Sequence, residues 1–470
     1  MPFEGAIPSL PEALFLHGDS AVRLRELPDS IAHCAVTSPP YFGLRNYGEN
    51  DQIGMEPTPR EYAANLVAVF RELHRVLRDD SSLWLVIGDS YASSSKGTGG
   101  TGKSTLMLHD KNEAQRIANA DRSNAAAKFT PKKFNLVDGV KQKDLLGIPW
   151  TVAFALRDSG WYLREEIIWS KSSCMPESVH DRCTRQHETV FHLTKSSTYY
   201  HDWFAVAEPY SSSVMRLSQP TFASQNGGDK DYAFGVNTNR SARKALENMQ
   251  ANGGGVRNAR SVWEINPEPY EAQLCTACGT YWTGRDYRRL TKNATNHRIC
   301  TCGSVTEWLS HFAVFPTRLV ARCLRASFSA GGCCSRCGAP SRRIIAEGEP
   351  DEAWKAASGA DKSGGYSGIS RDGTDAAGAQ DASATKARIL AGMRWKETVG
   401  WKPGCGCNAP LSQRPLVIDP FSGAGTTALV ASKLGADSIG IDLRADYIRM
   451  AEARLRDATA KCLDTDGSRL

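Results

Sequence analysis

The sequence predicts an α/β fold carrying small cysteine-rich insertions. Three observations predict it. Short apolar runs end abruptly in loop-forming residues, as where Ala35-Val36 meets Thr37-Ser38-Pro39-Pro40-Tyr41 and where Leu416-Val417-Ile418-Asp419 meets Gly423-Ala424-Gly425, which is how buried strands leave a sheet. Between such runs lie segments of helical period, the clearest being Leu66, Val69, Phe70, Leu73, Val76 and Leu77. Close cysteine pairs then occupy stretches with neither pattern.

Composition narrows the class. A chain of 470 residues has room for two or three domains, and 41% hydrophobic with 23% charged residues is ordinary for a soluble globular protein. A net charge of +6 permits nucleic-acid binding without requiring it. Met1-Pro2-Phe3-Glu4-Gly5 lacks the basic start and apolar core of a secretion signal. No run approaches the roughly 18 apolar residues of a membrane span. The 14 cysteines are therefore expected in a reducing, cytoplasmic setting, where clusters point to metal more than to disulfides.

In chain order, Leu14-Phe15-Leu16-His17 reads as a strand closed by Gly18-Asp19, with Asp19 or Ser20 suited to cap a following helix. Two prolines after Ala35-Val36 can neither prolong the strand nor start a helix, so Ser38 to Tyr41 leave the sheet as a stiff loop. Strand-end loops are where open α/β sheets place ligands. Ser38 offers a hydroxyl acceptor, Pro39 a carbonyl, Pro40 rigidity and Tyr41 an aromatic face, a set that suits a planar amino group on a heterocycle. Phe42 to Gly48 is either a ligand-facing loop or a packed surface one. Glu61 to Leu77 is a helix, and Leu83 to Ile87 a buried strand ending at Gly88-Asp89.

Gly97 to Ser104 matches a nucleotide-binding P-loop letter for letter. A true P-loop needs a strand leading straight in, whereas Ala92 to Lys96 intervene and the flanks are Gly/Ser/Thr-rich. Residues 93–133 read better as a basic loop. Lys143 to Leu156 leads into a helix. Trp161 to Trp169 and Glu188 to Lys195 are strands, and Asp181 and Arg182 between them either line a pocket or form a surface ion pair. From Glu208 to Ala259 regularity fades.

Cys275-x-x-Cys278 with Cys300-x-Cys302 has the form of a zinc ribbon, each pair followed by a glycine that permits a tight knuckle. Cys334-x-x-Cys337 with Cys405-x-Cys407 repeats the form across an insertion, Gly348 to Ala387, of disordered composition. Four thiolates satisfy a tetrahedral structural zinc, so one or two ions are expected. His297 and Cys333 are the substitutes in reach of these sets. Arg285, Tyr287, Arg288 and Arg289 give the first ribbon residues suited to nucleic acid.

The C-terminal part reads as a ligand site of another kind. Phe421 to Thr427 turns from a strand into a helix, with glycines allowing close approach and a helix N-terminus favouring negative charge. Asp442 ends the next strand, Ser438 to Asp442, where an acid binds ribose hydroxyls. Gly423-x-Gly425 lacks the third glycine of a dinucleotide fingerprint. Tyr447 to Leu455 is a closing helix.

Thr37-Ser38-Pro39-Pro40-Tyr41 resembles the catalytic motif of the DNA amino-methyltransferases. Asp419-Pro420-Phe421-Ser422-Gly423-Ala424-Gly425-Thr426-Thr427 resembles their S-adenosylmethionine loop, in the beta-type order of catalytic motif first. The resemblance spans residues 15–210 and 305–455. It implies a Rossmann-like methyltransferase fold, a mixed sheet with helices on both faces, and double-stranded DNA as substrate. It implies Ser38, Pro39, Pro40 and Tyr41 at the catalytic centre, and cofactor contacts from Asp19, Phe312, Pro316, Asp419, Phe421, Gly423, Gly425, Thr426 and Asp442. Ser38 and Pro39 would hold the amine of a flipped base, with Tyr41 stacking on it, and the 93–133 loop would close over DNA. Serine at the first motif position resembles the cytosine-N4 group; the alternative is adenine N6. A zinc-ribbon nucleic-acid binder with an inactive core is a reading of a different class, and a cognate restriction endonuclease is an expected partner.

The organisation that follows places a catalytic half at residues 1–205 and a variable region, suited to target recognition, at 206–265. A zinc ribbon follows at 266–310 and a cofactor-contacting helix at 311–330. The second ribbon with its insertion covers 331–410, and the cofactor-binding half 411–460.

Overall fold

The computed structural model describes residues 13–44, 52–92, 140–174, 177, 179–209, 256–268, 273–275, 277–292, 298–305, 308–309, 315–347 and 396–464. The P-loop-like run, the loop over 93–133, Arg45 to Gly48, most of the variable region, His297, Phe312 and the Gly348–Ala387 insertion lie outside these. The chain divides into two units. The first comprises residues 1–201, 261–340 and 409–470; the second comprises 202–260 and 341–408.

The first unit opens with β1 (Ala13–His17) and α1 (Ser20–Arg25), capped by the Asp19 carboxylate, which accepts from Val22 N at 2.9 Å. β2 (Ala32–Thr37) is buried along its whole length, as a central strand covered on both faces must be. α2 (Pro59–Val76) has Thr58 as its N-cap and Pro59 in its first turn, and buries Leu66, Val69, Phe70, Leu73 and Val76.

Helix α2 passes directly into β3 (Leu77–Ile87), a longer strand than the apolar run alone suggests. Polar residues 78–82 join the strand because Leu77 pairs with Ala32 across a register shift, and Arg78 is matched to Asp80 at 3.0 Å. α3 (Ile148–Asp158), β4 (Tyr162–Ser170) and β5 (His187–Thr194) complete the first half.

Short strands follow: β6 (Glu208–Pro209) and β7 (Val256–Arg257) in the second unit, then β8 (Val262–Glu264) in the first. β8 extends the main sheet beside β4, although its sequence adjoins the irregular region. Trp169 Nε1 donates to Ile265 O at 2.7 Å and fixes it there. The ribbon contributes β9 (Gln273–Cys275), β10 (Tyr281–Trp282), α4 (Gly284–Arg289) and β11 (Trp308–Leu309). In α5 (Thr317–Ser327) Pro316 is the N-cap residue.

β12 (Arg342–Glu347) and β13 (Lys396–Lys402) form an antiparallel hairpin in the second unit. There Arg343 reaches the buried Asp202 carboxylate through Nε and Nη2, at 3.1 and 2.6 Å, and lies over Trp401. β14 (Leu416–Asp419), α6 (Thr426–Lys433), β15 (Asp437–Asp442) and α7 (Ala445–Asp464) end the described chain.

The main sheet has the order β1-β15-β14-β2-β3-β5-β4-β8. The first five strands run parallel, β5 is antiparallel to β3 and β4, and β8 is parallel to β4. Helix α2 contacts both α1 and α3, and α6 contacts both α5 and α7. This is the α/β mixed sheet that the sequence predicts. Its topology has one decisive feature. β14 leads to β15 on one side and β2 leads to β3 on the other, so the strand order reverses between β14 and β2. Such a switch point opens a crevice at the carboxyl ends of the strands.

Candidate active site and metal centre

Both sequence motifs stand at that switch point. Ser38 to Tyr41 follow the end of β2, and Pro420 to Gly425 follow the end of its neighbour β14. Asp419 joins them. Its Oδ1 accepts from Thr37 Oγ1 at 2.6 Å and Phe421 N at 3.1 Å, and its Oδ2 from Thr427 Oγ1 at 2.7 Å. The residue is 2% exposed. Burial lifts its carboxyl to about 6, and the Thr37, Thr427 and Phe421 donors oppose that rise. Asp419 thereby ties the two loops together.

The turn after β14 is tight. Gly423 and Gly425 take positive φ, +49° and +70°. A Cβ on Gly425 would stand 2.7 Å from Ala451 Cβ, so the position admits no side chain. Gly423 N donates to Asp442 Oδ2 at 2.8 Å, and Arg444 N to Oδ1 at 2.9 Å. Burial raises the Asp442 carboxyl while these two donors lower it. Ser20 Oγ donates to Pro420 O at 2.5 Å, which brings the Asp19 cap beside the same loop. Arg454 Nη1 donates to Thr426 Oγ1 at 2.8 Å and Ala424 O at 3.1 Å. Phe421 meets the Phe70 ring edge-on at 6.4 Å.

The loop after β2 is equally constrained. Tyr62 Oη donates to Pro40 O at 2.9 Å, and Phe42 is 1% exposed. The Tyr41 ring lies against Gly88 at the end of β3, where a Cβ would come within 2.6 Å of it. Ser38 Oγ donates to Tyr41 Oη at 3.4 Å, and Tyr41 Oη to Glu188 Oε2 at 2.5 Å. Lys171 pairs with the other Glu188 oxygen and stands 4.3 Å from the Trp169 ring centre. Burial and the adjacent Glu188 push the Tyr41 hydroxyl well above its ordinary pKa.

Asp181 forms an exposed ion pair with Lys143 at 2.6 Å, the surface alternative of its two readings. Arg182 lies over the Tyr91 ring at 3.9 Å.

The sequence reading missed Glu188, Lys171 and Arg454. Glu188 carries only the signal of an acid at the start of an apolar strand, which most strands with an exposed end share. Arg454 lies on a helix face with no motif of its own.

The first cysteine set converges. The Sγ atoms of Cys275, Cys278, Cys300 and Cys302 all lie within 4.8 Å of one another, with Cys275–Cys302 at 3.7 Å and Cys278–Cys300 at 3.6 Å. Gly279 and Gly303 take φ of +72° and +89°, as their knuckles require. Gly279 N donates to Cys275 O at 2.7 Å and Gly303 N to Cys300 O at 2.8 Å. Leu274, beside the first thiol, packs with Ala424, Met450 and Ala453, so the ribbon rests on the glycine turn and α7.

Cys334 and Cys337 form a third knuckle in the first unit, with Gly338 N donating to Cys334 O at 2.8 Å. It is clamped by His33 Nε2 on Gly338 O at 2.9 Å and Arg78 Nη1 on Cys337 O at 2.8 Å. Cys405 and Cys407 belong to the second unit. In the ribbon, Arg289 is an exposed residue near Asp286 at 3.9 Å, and Tyr287 lies under Arg298 at 5.1 Å.

Comparison with known proteins gives a consistent answer. The sequence profile of the DNA methylase family N6_N4_Mtase matches residues 32–334 and 411–453. The chain is 36% identical over 319 residues to the type II methyltransferase M.Cfr9I of Citrobacter freundii, covering 68% of this chain and 74% of that one. It is 35% identical over 315 residues to M.SmaI of Serratia marcescens, covering 67% and 75%. Against the solved structure of PvuII DNA methyltransferase (cytosine-N4-specific), identity is 13% and the TM-score 0.43, over 98% of this chain and 90% of that one.

Proposed function

This chain belongs to the N4-cytosine/N6-adenine family of DNA methyltransferases, and from that premise we propose that it methylates the N4 amine of cytosine within a specific DNA site, with S-adenosylmethionine as donor. The observation that supports this reading is the junction of β2 and β14. A loop suited to holding an amine and a loop suited to holding the cofactor leave adjacent strands and share the Asp419 tie.

The residues present fit the cofactor. Ser422 Oγ is buried and has no hydrogen-bond partner among the described residues. A Cβ on Gly425 would meet Ala451 and Phe15, and one on Gly440 would meet Phe15 and Ser422, so packing holds both positions to glycine beside this serine. The N-terminus of α6 begins at a glycine and has no side-chain cap, which leaves its N–H groups open to a carboxylate. Gly423, Gly425 and Thr426 would hold the amino-acid end, Asp442 the ribose hydroxyls, and Phe421 the adenine. Asp19 and Pro316 are further contacts from adjoining segments. When bound, S-adenosylmethionine supplies a methyl group on a positively charged sulfur.

The protein's part is orientation. The amine's lone pair is delocalised into the base, so the nitrogen is a weak nucleophile. Ser38 Oγ and the Pro39 carbonyl would accept its two hydrogens and turn the lone pair out of the ring plane. The base must first leave the duplex, with the Tyr41 ring, fixed at its hydroxyl end, replacing its lost stacking. Serine at position 38 supports cytosine over adenine. The quartet of Cys275, Cys278, Cys300 and Cys302 would hold a structural zinc. The named relatives are type II methyltransferases, and a cognate endonuclease is proposed as partner on that basis.

Incubating the protein with DNA of mixed sequence and S-adenosylmethionine, then digesting to nucleosides for mass spectrometry, tests the proposal. N4-methylcytosine supports it. N6-methyladenine overturns the choice of base, and the absence of any methylated nucleoside overturns catalysis in favour of a binding protein.

A further inference from the structure

The loop after β2 ends in a hydrogen-bonded series with a fixed direction. Glu188, paired with Lys171, is a carboxylate that can only accept, so the Tyr41 proton points to Glu188. The Tyr41 oxygen then has lone pairs for the Ser38 proton, which reaches it at 3.4 Å. The Ser38 oxygen is left with lone pairs alone. Gly88 leaves room for the Tyr41 ring to bring its hydroxyl to Glu188.

We propose that Glu188 is a positioning residue for methyl transfer, acting through Tyr41 to commit the Ser38 oxygen to accepting a hydrogen of the target amine. The inference rests on the reading of Ser38 given above. As the amine attacks, its lone pair goes to the methyl carbon, the carbon–sulfur pair stays on sulfur, and one amine proton passes to bulk water. The N–H groups grow more acidic on the way, so an acceptor facing them binds the transition state more strongly than the ground state. A carboxylate at the far end of the series polarises each hydroxyl in turn and makes the Ser38 oxygen a better acceptor. The Ser38–Tyr41 separation is long for hydroxyls, and catalytic hydrogen bonds tighten when the reacting group arrives.

The test is single-turnover methylation of a cognate DNA by Glu188→Gln, Tyr41→Phe, the double variant and Ser38→Ala. Binding of S-adenosylmethionine to each variant reports whether it is folded. Glu188→Gln keeps an acceptor for Tyr41 but removes the charge, and Tyr41→Phe keeps the ring but breaks the series. Each is expected to slow transfer about 10-fold or more with DNA and cofactor affinities within about 3-fold of wild type. The double variant should be no more than about 2-fold slower than Tyr41→Phe, because both changes cut one series.

A merely structural role for Glu188 would give effects that multiply, or changes in affinity rather than rate; either result overturns the inference. So does a wild-type rate for Glu188→Gln while Ser38→Ala is impaired. A wild-type rate for Ser38→Ala overturns the underlying reading, and the inference with it.

Discussion

Thr37, the last residue of β2, donates through Oγ1 to Oδ1 of Asp419, the last residue of β14, at 2.6 Å. The bond holds two strand ends together at the point where their loops part. Thr37→Val keeps the shape and removes the donor. Hydrogen bonds to buried carboxylates contribute about 1.5–3 kcal/mol, and the variant should lose stability of that order. Urea unfolding measures the loss. Calorimetry with S-adenosylmethionine should show weakened binding, because Phe421 and Thr427 share the same carboxylate.

Acid sensitivity should arise in part at His33. Its Nδ1 accepts from Leu416 N at 3.0 Å, its other nitrogen meets Gly338 O, and burial lowers its pKa to about 4. A histidine depressed from an ordinary value near 6.5 contributes its full stability above about pH 6.5 and loses it as pH falls towards about 4. His192, stacked on Trp84 and lowered to about 3 by burial, has the same sign. Relative to His33→Gln, the wild type should lose about 3 kcal/mol of stability across that window. Denaturant titrations at the two ends of the window check this, and a difference independent of pH would refute it.

Gly88→Ala tests the seat of Tyr41. The added methyl would stand 2.6 and 2.9 Å from the ring. The ring must move, at a stability cost of about 1–3 kcal/mol. Methyl transfer should fall with it, while S-adenosylmethionine affinity holds, since the glycine turn is on a different strand. Thermal unfolding and single-turnover rates separate the two effects.

Metal removal should reach the cofactor. The first quartet predicts about one zinc per chain. Stripping zinc with a chelator, or Cys300→Ser, should loosen β9 and withdraw Leu274 from Ala424 and Met450. Cofactor affinity should drop about 10-fold, restored by zinc in the chelated wild type. Elemental analysis together with binding measurements decides it; less than half a zinc per chain would sink the ribbon reading.

Much of this was legible because the informative residues are local. A double proline after an apolar run, or a glycine turn before a helix, dictates its own backbone, and so the ends of β2 and β14 could be placed from sequence. The cysteine knuckles are legible for the same reason, since glycine after each pair marks the turn. What escaped depends on pairing across the sheet. β8 is three residues long with one buried side chain, and it joins β4 through backbone bonds, with Trp169 holding Ile265. Glu188 accepts its hydrogen bond from a tyrosine 147 positions away. The polar start of β3 carries no strand pattern of its own, and its place shows only when Ala32 is seen beside Leu77.

The sheet order has a consequence for how the molecule is made. β14 and β15 come late in the chain, yet they fill the middle of the sheet between β1 and β2. Until they emerge from the ribosome, β1 lacks its neighbour and β2 has one open edge, a state prone to mispairing and slow to resolve. A nascent or truncated chain ending before Leu416 would carry the Ser38 loop with nothing beside it. Methylating capacity should therefore arise all at once, when the segment through Asp442 has been made, with no partial activity from the N-terminal half.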